Sequence, residues 1–174
     1  GGMPLELVAS WLSMSKGDSR LVQSRLKSIL NSRRNRNSGF YDQLGKVLRL
    51  LLETAETTRR RRTLAPMIFT TNFGTTLEWH MMYHGVPFTR VTVKLPDCLI
   101  IQSVGSGFRG GGEEYTQPST ARDLSFDDMQ GCILFKYHGS IDVDDSCVVN
   151  NEQLFELTRI EDIVPSAVEE QLKI

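Results

Sequence analysis

The run Cys132-Ile133-Leu134-Phe135, which ends in Lys136-Tyr137-His138-Gly139-Ser140, constrains the fold of this chain more than any other stretch. Apolar residues in unbroken succession do not suit a strand with one wet face. They suit a strand covered on both faces, as in sheets that carry helices on each side. A second short run, Met67-Ile68-Phe69, gives way in the same manner to Thr70-Thr71-Asn72-Phe73-Gly74. In open α/β sheets, ligands bind in the crevice outside the carboxyl ends of the strands. Asn72 and His138 therefore stand out, an amide and an imidazole at two such ends.

The rest of the chain supplies elements to cover that sheet. Pro4 suits the first turn of a helix, and Leu5, Val8, Trp11 and Leu12 give it a stripe. After Lys16-Gly17, Asp18 or Ser19 can cap a second helix carrying Leu21, Val22, Leu26, Ile29 and Leu30. A third carries Leu44, Val47, Leu48, Leu51, Leu52 and Ala55 and runs towards Arg59-Arg60-Arg61-Arg62, where cations suit the helix dipole. The pattern then changes to a strand over 65–70, a helix over 75–84 stopped by Gly85 and Pro87, and strands over 88–93 and 98–104. Residues 105–128 are polar and glycine-rich and read as a long loop. The strand 132–137 follows, then a short one at 147–149. A helix over 152–157 capped by Asn150 or Asn151, and a last helix over 166–172, complete the chain. Helices first, then strands alternating with helices, give an α/β fold with a mostly parallel sheet. Residues 1–62 form a helical segment packing on the sheet of residues 63–174, within one domain.

The chain has 174 residues, 40% hydrophobic and 24% charged, enough for one core. No apolar run approaches the roughly 20 residues of a membrane span, and Gly1-Gly2-Met3-Pro4 does not resemble a secretory leader. Cys98, Cys132 and Cys147 lack C-x-x-C spacing, which argues against a disulfide framework and for a reducing, cytoplasmic setting. Charge is uneven: residues 1–62 hold 13 Lys/Arg against 5 Asp/Glu, and residues 63–174 hold 7 against 16. Arg33, Arg34, Arg36 and Arg59 to Arg62 offer a surface for nucleic acid. No aromatic residues interleave these runs, so solvated helix ends are the favoured reading.

Three further patterns carry less. Gly105-Ser106-Gly107-Phe108-Arg109-Gly110 follows a strand, but Gly111-Gly112-Glu113-Glu114 comes next instead of a helix that could hold a pyrophosphate. His80 and His84 have the i, i+4 spacing of a helical metal pair, with no third ligand evident in the sequence, so no metal is expected. Asp142, Asp144 and Asp145 lack the rest of a calcium loop and read as a solvated turn.

Two segments resemble a known family. Thr70-Thr71-Asn72-Phe73-Gly74-Thr75-Thr76-Leu77-Glu78 is similar to the T-T-N-[YF]-D-x-x-[IL]-E segment of the sirtuin-like (silent-information-regulator-like) domains of bacterial defence proteins. Lys136-Tyr137-His138-Gly139-Ser140-Ile141-Asp142 is similar to their K-x-H-G-[ST]-x-[DE] segment. The strand, turn and helix of residues 147–154 and Ile163-Val164-Pro165 follow in the family's order, and Gly2-Met3-Pro4-Leu5 resembles its G-[IM]-P segment. The resemblance covers residues 64–174 well and 1–15 weakly.

It implies a Rossmann-like open sheet and NAD as substrate, with cleavage of the nicotinamide–ribose bond. Asn72 would orient the water or ribose and His138 would act as general base. Gly2, Pro4, Thr71, Asn72, Gly139 and Ser140 would line the cofactor. Further copies or further domains of a parent protein are the implied partners. This chain departs from the family at Gly74, where the family has Asp. The family's glycine-rich G-x-G-x-S loop and its later L-G-[YF]-S strand are not found, so the chain reads as incomplete at both ends. Three scattered cysteines cannot make the four-cysteine zinc module of sirtuin deacetylases, which favours hydrolysis over deacylation. A second reading is a catalytically degenerate domain that binds a nucleotide or serves assembly.

Overall fold

The computed structural model describes residues 24, 26–28, 39–57, 66–95, 98–105, 117–119, 129 and 131–159. Their elements, in chain order, are α1 (Gly39–Thr57), β1 (Met67–Thr70), α2 (Thr76–Tyr83), β2 (Phe88–Lys94), β3 (Cys98–Val104), β4 (Gln117–Ser119), β5 (Cys132–Lys136) and α3 (Asn151–Arg159). The expected helices over 5–15 and 166–172 lie outside the described residues, as does most of the one over 19–30.

The strands form one sheet in the order β1-β5-β2-β3-β4. β5 is its centre, parallel to β1 on one side and to β2 on the other. β3 pairs antiparallel with β2 and β4 antiparallel with β3. Four of the five described strands thus point the same way, and the sheet is mixed. Every residue of β5 is buried, as an unbroken apolar run requires. β1 differs from expectation. It is the last described strand on its side, only half-buried, and Phe69 is 43% exposed, its ring tilted against that of Phe135.

Alternation along the strands sorts the two faces. Phe88, Cys132 and Leu134 face α1 and α2, packing with Leu48, Leu77, Met81 and Val86. Val91, Val93 and Phe135 face the other way, onto Val148 and Leu157. The register places Arg90 beside Leu134 and Thr92 beside Lys136. Arg90 and Lys136 therefore share the face of the sheet that α2 covers.

Each helix has a local reason to begin or end. In α1, Tyr41, Leu44, Leu48 and Leu52 follow helical spacing onto the sheet. Val47 and Leu51, expected on that stripe, lie on its flank and are 51% and 47% exposed. α2 ends at Gly85, whose φ of 66° suits a helix stop; the Arg49 guanidinium donates to its carbonyl at 2.7 Å. Asn150, the expected cap, starts α3. Its Oδ1 accepts from Gln153 N–H at 2.8 Å, and Gln153 Oε1 accepts from Val149 N–H at 2.9 Å, a reciprocal capping arrangement.

Two expectations change. Cys147 to Val149 is not a strand; it is an irregular segment buried against the core, held by Val148 N–H donating to His138 O at 2.9 Å. Within the expected loop 105–128, Gln117–Ser119 pairs with β3, with Pro118 on the last described strand of the sheet, where a missing N–H is tolerated. No helix among the described residues is long and apolar enough to cross a membrane.

Candidate functional site

Because β1 and β5 are adjacent and parallel, with Thr70 opposite Lys136, both polar segments leave the sheet at the same end. Backbone bonds then stitch them together. Tyr137 N–H donates to Thr70 O at 3.0 Å, and Ile141 N–H to Phe73 O at 2.8 Å. Asn72 is exposed, like Thr71 beside it. Its N–H donates to Thr70 Oγ1 at 3.0 Å, and its Oδ1 accepts from Gly74 N–H at 2.9 Å, the local turn that an Asn side chain favours. Its Nδ2 donates to the Tyr41 hydroxyl on α1 at 3.4 Å.

His138 is half-buried, with its ring tilted against Tyr137. The glycine after it has a backbone reason. Gly139 has φ 82°, and a Cβ there would lie 1.9 Å from Ser146 O. Only glycine fits where the chain doubles back on 146–147. Ser140 is fully buried; its N–H donates to Ser146 Oγ at 2.9 Å, and its hydroxyl donates to Asp142. Gly139 and Ser140 thus hold the loop that carries His138.

Beneath these turns lies a buried ionic network. Lys136 Nζ, on the last residue of β5, donates to Glu78 Oε1 at 2.6 Å and to Gly74 O at 2.7 Å. Glu78 lies in the first turn of α2 and is 4% exposed. The Arg90 guanidinium lies 3.5 Å from Glu78, donates to both oxygens of Asp142 at 3.1 and 2.8 Å, and binds Gln102 through Nε at 2.7 Å. Burial pushes the Lys136 pKa below the ordinary lysine value, and Glu78 opposes this. Burial raises the Asp142 pKa, but the Arg90 charge, the Ser140 bond and Lys136 outweigh it and hold the carboxyl below its usual range. Asp142, Asp144 and Asp145 are all exposed, as a solvated turn requires, but Asp142 is in addition tied to Arg90 from the rim of the network.

The network joins the first segment, through Glu78, to the second, through Lys136, Ser140 and Asp142. Of these, Ser140 was expected beside the cofactor and Asp142 in a solvated turn; Glu78 and Lys136 had no expected role, and no motif in the sequence singled out Arg90 or Gln102. The available signal was Arg90, a charge inside a strand between the uncharged, β-branched Thr89 and Val91, since a charge does not enter a core without partners. A cleft of about 340 Å³ opens beside the network, lined by Lys27, Glu78, Trp79, Arg90, Gln102 and Asp142 among others. That is the scale of a small-ligand pocket. Asn72 and His138 are not among its lining residues; the cleft begins where their segments end.

Gly2, Pro4, Arg33, Arg34, Arg36, Arg59 to Arg62 and residues 106–110 of the glycine-rich stretch lie outside the described residues. Cys132 and Cys147 are buried free thiols whose pKa burial pushes up to about 12, so both are poor nucleophiles near neutrality. No family model, curated protein or solved structure matches the chain.

Proposed function

We propose that this chain is the core of a sirtuin-like domain with a Rossmann-like sheet that hydrolyses the nicotinamide–ribose bond of NAD, in the manner of an antiphage-defence glycohydrolase. One observation carries the reading. The two segments that resemble the family leave adjacent parallel strands at the same end of the sheet and are clamped together by Lys136 and Glu78. Asn72, fixed by its own turn and exposed, orients the attacking water or the ribose. His138 takes the proton as positive charge on the ribose collapses, a role suited to a group that titrates near neutral pH. Thr71, Gly2 and Pro4 lie along the bound nucleotide in this reading, and Gly139 and Ser140 present His138.

The test is nicotinamide release from NAD by the purified full-length protein. Asn72→Ala or His138→Ala is expected to lower turnover by about 100-fold or more, the scale of losing a positioned acid–base group. Wild-type turnover in both variants would sink the assignment. Gly74, which leaves this turn without the family's carboxylate, favours a second reading, a nucleotide-binding module without catalysis. That reading expects saturable binding of ADP-ribose with no nicotinamide released by the wild type.

A further inference from the structure

The packing of α1 on α2 assembles a donor set that neither helix holds alone. His80, in α2, and His84, the residue that caps its C-terminal end, lie one turn apart on one face. Asp42, in the first turn of α1, completes the group: one donor atom from each of the three lies within 4.8 Å of the others. His84 Nε2 sits 2.8 Å from Asp42 Oδ1, and Lys46 Nζ holds the other carboxylate oxygen at 2.8 Å.

His80 is the telling member. It is 2% exposed, and neither of its ring nitrogens has a hydrogen-bond partner among the described residues. Buried polar atoms are almost always paired, and an exception calls for a ligand, a water or a function. Gly45 lets the helices come this close. A Cβ there would stand 2.5 Å from His84 Cδ2 and 3.3 Å from His80 O.

We propose that Asp42, His80 and His84 bind a divalent transition-metal ion, zinc by choice of donors. Two imidazoles and one carboxylate are a common zinc set, with a fourth position left for water. Calcium and magnesium want six or more oxygens, and this group offers too few. The ion staples α1 to α2. It also sits next to the first polar turn, because the Tyr41 ring stacks on His80 at 6.2 Å while its hydroxyl accepts from Asn72. The site stands independently of the NAD reading.

The experiment is zinc titration of the metal-stripped full-length protein by calorimetry, with cobalt substitution as a spectroscopic probe. One zinc per chain, a cobalt spectrum with the visible bands of a tetrahedral nitrogen–oxygen site, and a higher melting temperature with zinc are expected. Asp42→Asn and His84→Ala, both at partly exposed positions, should each weaken zinc binding at least tenfold while the metal-free circular dichroism is unchanged. Gly45→Ala, which pushes the His84 ring off Asp42, should weaken it in the same direction. His80→Phe keeps a ring in the apolar site and should abolish binding without lowering metal-free stability. Absence of saturable zinc binding, or binding of equal strength and spectrum in Asp42→Asn and His84→Ala, overturns the proposal.

Discussion

Lys136 is 1% exposed at the end of a strand whose other residues are apolar, and among the described residues its ammonium has only Glu78 Oε1 and Gly74 O within hydrogen-bond reach. A charge there is tolerable only while its partner stays. Glu78→Gln or Lys136→Met alone is expected to destabilise the fold by roughly 3–5 kcal/mol, measured by urea denaturation. Replacing both, Lys136→Met with Glu78→Leu, should cost clearly less than either single change. Additive losses would show that the pair is not coupled. The sequence placed both residues inside the two recognisable segments. It gave no sign that they touch, because they are 58 positions apart and meet only once α2 lies over β5. Arg90 was harder still, since its partners Gln102, Asp142 and Glu78 come from three different elements.

At the scale of elements, the return from β5 depends on a backbone contact. Gly139, at φ 82°, lies against Ser146 O, and Ser146 Oγ in turn donates to the carbonyls of Ser140 and Val143 at 2.9 and 2.8 Å. Gly139→Ala should therefore cost at least about 2 kcal/mol, the scale of a strained left-handed residue, and should unseat His138. A thermal melt checks the first part; an unchanged melting temperature would remove the strain argument. Most elements were legible because their periodicity is local: β5 by its unbroken apolar run, α1 by its stripe, α3 by Asn150. β4 was not legible. Gln117-Pro118-Ser119 has no strand pattern of its own and pairs only because β3 offers an edge. The segment 147–149 failed in the opposite sense. Its β-branched residues are buried, yet its backbone bonds to His138 O and Gln153 rather than to a sheet.

For the whole molecule, acid stability follows from the sign of one titration. The folded Asp142 carboxyl sits below its unfolded value, with Arg90 as the favourable charge outweighing burial. Its contribution is therefore full above about pH 4, the ordinary aspartate value, and is lost as pH falls through the lower folded value. Urea midpoints of the wild type and Asp142→Asn should differ near neutrality and converge on acidification. A gap that stays constant across that range would contradict the linkage. The sequence by itself determined that the chain builds a sheet with helices on it, that β5 is buried on both faces, and that Asn72 and His138 stand at strand ends. Those are consequences of hydrophobic periodicity and of polar residues that interrupt it, which act over a few neighbours. Only the tertiary structure decided that β1 and β5 are adjacent and parallel, that Glu78 reaches Lys136, and that Asp42 meets His80 and His84. Such meetings depend on strand order and helix packing between residues distant in the chain, and no local pattern encodes them.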